Sequence, residues 1–178
     1  MNATFGRPSR SRFFDIRGLR THVREWGPRD GAPLLMLHGW MDVSASFQFV
    51  VDALADRWRV LAPDWRGFGL TSWAGTDCYW FPDYLADLDR LADALLPGER
   101  LRIVGHSMGG NVALIYAGAR ADRVAGVVNL EGFGLKDTPA QQAPDRYARW
   151  MDELKDAPTL RDYASLEEVA LLSFTGER

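Results

Sequence analysis

A single cysteine, Cys78, excludes an intrachain disulfide and fits a reducing compartment, so the expected location is the cytoplasm. No apolar run reaches the ~18 residues a bilayer-spanning helix requires, so no membrane span is expected. The arginines near the start (Arg7, Arg10, Arg12) are not followed by the apolar stretch of a secretory signal. A net charge of −3 gives no electrostatic reason to expect nucleic acid as a partner. Metal-ligand spacings and phosphate-binding glycine loops are missing, so no cofactor or metal is expected, and Gly67-Phe68-Gly69 reads as a turn. The most consequential shortage is histidine. There are three, His22, His38 and His106, and none follows residue 106.

What is present is ample for a core: 47% of the 178 residues are hydrophobic, and that length favours one domain. Leu101–Val104 reads as a short buried strand, and Ser107 to about Ala119 reads as a mostly apolar helix. Between them lies Gly105-His106-Ser107-Met108-Gly109-Gly110, a Gly-x-Ser-x-Gly pattern at a strand-to-helix turn. Such a turn strains the serine backbone, projects the hydroxyl away from the sheet, and sets it beside a helix N-terminus that favours negative charge. A plainer reading is a glycine-rich helix start with a serine N-cap.

Two further strands run into short motifs. Pro33–Leu37 leads into His38-Gly39-Trp40, and Trp58–Pro63 leads into Asp64-Trp65-Arg66-Gly67-Phe68-Gly69-Leu70-Thr71-Ser72. In this order, these motifs and the serine turn resemble the α/β-hydrolase fold superfamily, of the serine esterase or lipase kind, over nearly the whole chain. The resemblance implies an α/β fold with a mostly parallel sheet, helices on both faces, and an α-helical lid inserted after the sixth strand. It implies Ser107 as nucleophile and the backbone amides of Trp40 and Met108 as oxyanion-hole donors. His38 would orient the oxyanion loop, and His106 would point away from the nucleophile into the structure. His22 is expected to be a surface or packing residue.

The chain departs from that family in one respect. The family order is Ser, then Asp or Glu, then His, and no histidine follows Ser107 here. Glu131, at the end of the strand Val124–Leu130, is a candidate relocated acid. It reads equally well as a strand-end carboxylate bonded to nearby amides. The expectation is therefore an incomplete, truncated hydrolase: a core over residues 1–134 without its last strands, and the start of a lid over 135–178. The isolated chain is expected to be inactive or weak. The rival class is a non-catalytic hydrolase-like protein that binds a small ligand or a partner.

Residues 1–10 read as a tail, and Phe13–Ile16 with Leu19–Trp26 as a hairpin. Helices are expected over about Ser46–Ala55, Pro82–Leu96, Asp145–Leu154 and Leu166–Phe174. The acids Asp83, Asp87, Asp89 and Asp93 read as a solvated face of the second helix. Trp40, Trp65, Trp73 and Trp80, with Phe68 and Phe133, suggest an apolar cleft for an acyl or ester compound, or else anchors for long loops. A serine at 107 argues against haloalkane dehalogenase and epoxide hydrolase chemistry, which uses a carboxylate nucleophile. Val124–Val128 is expected to be an exposed edge, open to self-association or to complementation by another polypeptide.

Overall fold

The computed structural model describes residues 6–54, 56–76, 78–134, 137–155 and 165. Six strands form one sheet: β1 (Ser9–Ile16), β2 (Leu19–Trp26), β3 (Ala32–Leu37), β4 (Trp58–Pro63), β5 (Leu101–His106) and β6 (Val124–Leu130). Their spatial order is β1-β2-β4-β3-β5-β6. The β1/β2 and β2/β4 pairs are antiparallel, and β4/β3, β3/β5 and β5/β6 are parallel. The opening hairpin turns on Arg17 and Gly18, whose φ values of 53° and 79° supply the left-handed turn that two-residue hairpins favour. Residues 9 and 10, expected in a tail, belong to β1, where they pair with Trp26 and Glu25.

The described residues also form four helices, α1 (Gln48–Ala53), α2 (Phe81–Leu95), α3 (Met108–Ala119) and α4 (Ala143–Lys155). Strand alternation divides the core in two. Leu35, Leu37, Leu61, Leu101 and Ile103 face one side and pack with Leu88 and Leu91 of α2 and Val112 and Tyr116 of α3. Their neighbours Leu34, Met36, Val60 and Ala62 face the other side with Phe47 and Val51. The first helix is shorter than expected, because a 3-10 turn over Ser44–Phe47 takes its start. Asp42 does not cap it, and its Oδ1 accepts from the next amide, Val43 N, at 2.8 Å.

The acidic run on α2 is only partly a solvated face: Asp93 is exposed, Asp83 and Asp89 are half-buried and Asp87 is buried. Asp87 receives a two-pronged contact from Arg66, Nε to Oδ2 at 2.6 Å and an η-nitrogen to Oδ1 at 2.7 Å. Arg17 adds a bond to Asp87 Oδ1 at 3.0 Å and reaches Asp83 at 3.4 Å. Asp89 accepts from the Tyr116 hydroxyl at 2.9 Å, and Asp93 accepts from Arg123 at 2.7 Å. These acids bolt α2 to the opening hairpin, to the loop after β4 and to α3.

The fold divides into two compact units, residues 1–135 and 136–178. In the second, α4 covers the expected 145–154 helix with one or two more residues at each end. The expected helix over 166–174 lies outside the described residues. At the edge of the sheet, β6 leaves Val128 and Leu130 exposed. A groove of about 400 Å³ beside it is lined by Leu34, Leu54, Trp58, Val104, Val127 and Val128, among others. No helix among the described residues is long and apolar enough to cross a membrane.

Candidate active site

The C-terminal ends of β3, β5 and β6 meet at Ser107. That residue has φ 50° and ψ −114°, a conformation unfavourable for any side-chain-bearing residue, and it immediately precedes α3. The flanking glycines make the turn possible. A Cβ on Gly105 would lie 2.5 Å from Gly109 O, and one on Gly109 would lie 2.2 Å from Leu37 O. The strand and the helix therefore cross too closely for any other residue at either position. Ser107 N donates to Leu130 O at 2.8 Å, which ties the turn to β6.

The loop after β3 abuts this turn. A Cβ on Gly39 would fall 3.3 Å from Ser107 Cβ and 3.0 Å from His106 Nδ1. His38 is fully buried and fixes the loop from beneath. Trp65 N donates to His38 Nε2 at 3.0 Å, so the proton sits on Nδ1, which donates to Gly39 O at 2.8 Å. Burial lowers the His38 pKa, only partly opposed by the Gly39 carbonyl and by Asp64 and Asp42, so the ring is held neutral. Trp65 Nε1 returns a bond to His38 O at 2.9 Å. The loop then passes through Trp40, packed edge-on against Phe68, and Met41, whose φ is 57°. Met108 is the first residue of α3, so its N–H has no acceptor within the helix.

Below the site, Asp64 gathers three donors. Ser44 N reaches Oδ1 at 2.6 Å, and Leu70 N and His22 Nδ1 reach Oδ2 at 2.9 and 2.7 Å. Burial alone would raise its pKa, but the bonds from His22, Leu70 and Ser44 outweigh it and hold the carboxyl well below the ordinary range. Asp64 thus joins β2, the loop after β3 and the loop after β4. His22 is its buried partner, with Nε2 2.9 Å from Ser11 Oγ.

Glu131 follows β6 with φ 58°, its side chain mostly exposed. The turn around it is held by Asn129, whose Oδ1 accepts from Gly132 N at 2.9 Å, and by Asn111, which accepts from Gly134 N at 2.8 Å. The expectation for His106 needs correction. Rather than packing into the structure, it is half-exposed between two carboxylates, Nδ1 4.0 Å from Asp42 Oδ2 and Nε2 3.8 Å from Glu131 Oε2. Of the tryptophans expected around a cleft, Trp65 is buried as a brace for His38, whereas Trp40, Trp73 and Trp80 are exposed. No group of three or more metal-ligating side chains occurs among the described residues.

Residues 32–171 match the family model for the alpha/beta hydrolase fold. The chain belongs to this family. A serine hydrolase-like protein of Danio rerio is 43% identical over 114 residues, 64% of this chain and 35% of that protein. Haloalkane dehalogenase 2 of Mycobacterium tuberculosis is 35% identical over 140 residues, 78% of this chain and 48% of that enzyme. Among solved structures, the hypothetical protein PA1622 of Pseudomonas aeruginosa superposes with a TM-score of 0.83 at 27% identity, over 94% of this chain and 60% of that one. The chain therefore spans half or less of the length of these curated relatives, and its six-stranded, mostly parallel sheet is that of an α/β-hydrolase.

Proposed function

We propose that this α/β-hydrolase chain carries the nucleophile and the oxyanion donors of a serine hydrolase acting on a carboxylic ester or related acyl compound. The observation that carries the reading is Ser107 at φ 50° between β5 and α3, against the loop that bears Trp40. Ser107 Oγ attacks the carbonyl carbon, and the carbonyl electron pair moves to oxygen, where the Trp40 and Met108 amides receive it. Collapse expels the alkoxide and leaves an acyl-serine, which water cleaves to release the acid. Each such amide contributes about 3 kcal/mol to the tetrahedral intermediate.

A serine hydroxyl needs a base within hydrogen-bond reach. Two of the three histidines are hydrogen-bonded elsewhere, His22 to Asp64 and His38 to Trp65 and Gly39, and His106 faces the carboxylates of Asp42 and Glu131 at 4.0 and 3.8 Å. The proton-accepting imidazole therefore lies outside these 178 residues, and Glu131, exposed at the end of β6, is the candidate acid to hold it. The exposed β6 edge and its apolar groove suit a further strand and helix from the remainder of a longer protein, from a separate polypeptide or from a second copy. The substrate is read as small and apolar, received by Trp40, Phe68 and Phe133 in a reducing, cytoplasmic setting. A serine, not a carboxylate, at 107 favours acyl transfer over dehalogenation.

Intact-mass analysis after exposure to a fluorophosphonate tests the nucleophile. A slow, single adduct on the peptide carrying Ser107, lost in Ser107→Ala, supports the reading. Labelling elsewhere with none at Ser107 refutes it. A second reading, a non-catalytic ligand- or partner-binding protein, is favoured by the lack of any histidine after Ser107 in these residues, and adduct formation at Ser107 would exclude it.

A further inference from the structure

Among the described residues four non-glycine residues have positive φ, and three of them, Met41, Ser107 and Glu131 (φ 57°, 50° and 58°), adjoin or belong to a cluster of two carboxylates about one imidazole. That imidazole is His106. Its Nδ1 faces Asp42 Oδ2 at 4.0 Å and its Nε2 faces Glu131 Oε2 at 3.8 Å, and its ring lies against Gly39. Both carboxylates stand on anchored backbone. Asp42 accepts from Val43 N through its other oxygen. The turn bearing Glu131 is tied to Ser107 through Leu130 O and closed by Asn129. Backbone in this conformation is costly for residues with side chains and persists only where its surroundings hold it.

We propose that His106 is a positioning residue, a charged bridge that draws the oxyanion loop through Asp42 and the β6 turn through Glu131 onto the nucleophile turn. At these ion-pair distances a protonated ring attracts both carboxylates. A neutral ring has one N–H, which its two tautomers turn toward one carboxylate or the other, so both loops are held less tightly. Its other ionisable neighbour is His38, which burial keeps neutral and which is committed to Trp65 and Gly39, so it does not compete for the carboxylates. The consequence for catalysis rests on the reading of Trp40 as an oxyanion donor. The bridge itself does not.

The test is nuclear magnetic resonance of the full 178-residue chain between pH 5 and 8, the interval in which histidines change charge. The backbone amide signals of Trp40, Met41 and Gly132 are expected to move with one midpoint, shared with the His106 Cε1 proton. Asp42→Asn should abolish the movement at Trp40 and Met41 and spare Gly132. Glu131→Gln should do the reverse, and His106→Gln should abolish both. Amides that do not follow His106 in the wild type, movement that survives His106→Gln, or carboxylate variants that leave their own loop's movement intact would overturn the proposal. If His106→Gln does not fold, the wild type and the two carboxylate variants decide. Because no turnover is measured, failure here is distinguishable from failure of the hydrolase reading, which the Ser107 adduct decides.

Discussion

Removing the Asp64 carboxylate should cost this chain a large part of its stability. Three donors converge on it, two buried (Ser44 N and His22 Nδ1) and one part-buried (Leu70 N). An orphaned buried donor costs about 1–3 kcal/mol, so the two buried donors alone forfeit about 2–6 kcal/mol in Asp64→Ala before relaxation. A typical domain has only about 5–15 kcal/mol in total, and Asp64→Ala should therefore fail to fold or barely do so. Asp64→Asn is the informative variant. It keeps one acceptor oxygen but turns an NH₂ group toward donors, and should cost about 2–4 kcal/mol. Urea unfolding followed by tryptophan fluorescence, from pH 7 down to pH 3, measures both variants. The folded-state pKa of Asp64 is lowered, so its contribution is complete above the ordinary aspartate range and is lost as pH falls below it. The gap between wild type and Asp64→Asn should therefore narrow by about 1.4 kcal/mol for each pH unit below that range. A gap under about 0.5 kcal/mol at pH 7, or one that widens on acidification, would refute the reasoning.

Asp87→Ala should destabilise by about 3 kcal/mol in the same assay, because it leaves the buried Arg66 guanidinium only Cys78 O and the more distant Asp83 carboxylate, whereas replacing both by Leu and Met should recover most of the loss. Equal stability of single and double variants would contradict this. Gly109→Ala drives a Cβ to 2.2 Å from Leu37 O and should cost at least the 1–3 kcal/mol typical of overpacking, roughly, with a displaced Trp40 amide signal. An unchanged midpoint and spectrum would show that the helix and strand can part freely. Val128→Lys places a charge on the exposed β6 edge and should lower self-association of the purified chain in sedimentation velocity. A wild-type chain that is monomeric throughout, with a sharp and reversible thermal transition, would remove the basis for that expectation.

The parts of the fold legible in the sequence were those set by local pattern. Apolar runs ending in short motifs located β3, β4 and β5, and Gly105 and Gly109 two residues either side of Ser107 marked a turn that only close crossing explains. Most of the differences from the sequence expectation needed long-range partners. Asp83, Asp87, Asp89 and Asp93 look like a solvated helix face until Arg17, Arg66, Tyr116 and Arg123 arrive from four other segments. His22 and Asp64 are 42 residues apart, and nothing local in either signals the pair. Trp65 follows a strand end as a cleft residue would, yet its indole is spent on the His38 carbonyl. The family resemblance implies that His106 points into the structure, but it lies on the less buried phase of β5 and its neighbours Asp42 and Glu131 come from two other loops.

We propose that Ser107 is a nucleophile whose base lies outside these 178 residues. The direct measurement is hydrolysis of a short-chain p-nitrophenyl ester by the folded wild-type chain beside folded Ser107→Ala. The account predicts turnover far below the ordinary enzyme range of about 1–1,000 per second, because an oxyanion hole without a base leaves only residual catalysis, roughly a thousandfold over water. Turnover within the ordinary range that Ser107→Ala abolishes would contradict it, and would locate a working base among His38, His106 and the remaining residues of this chain.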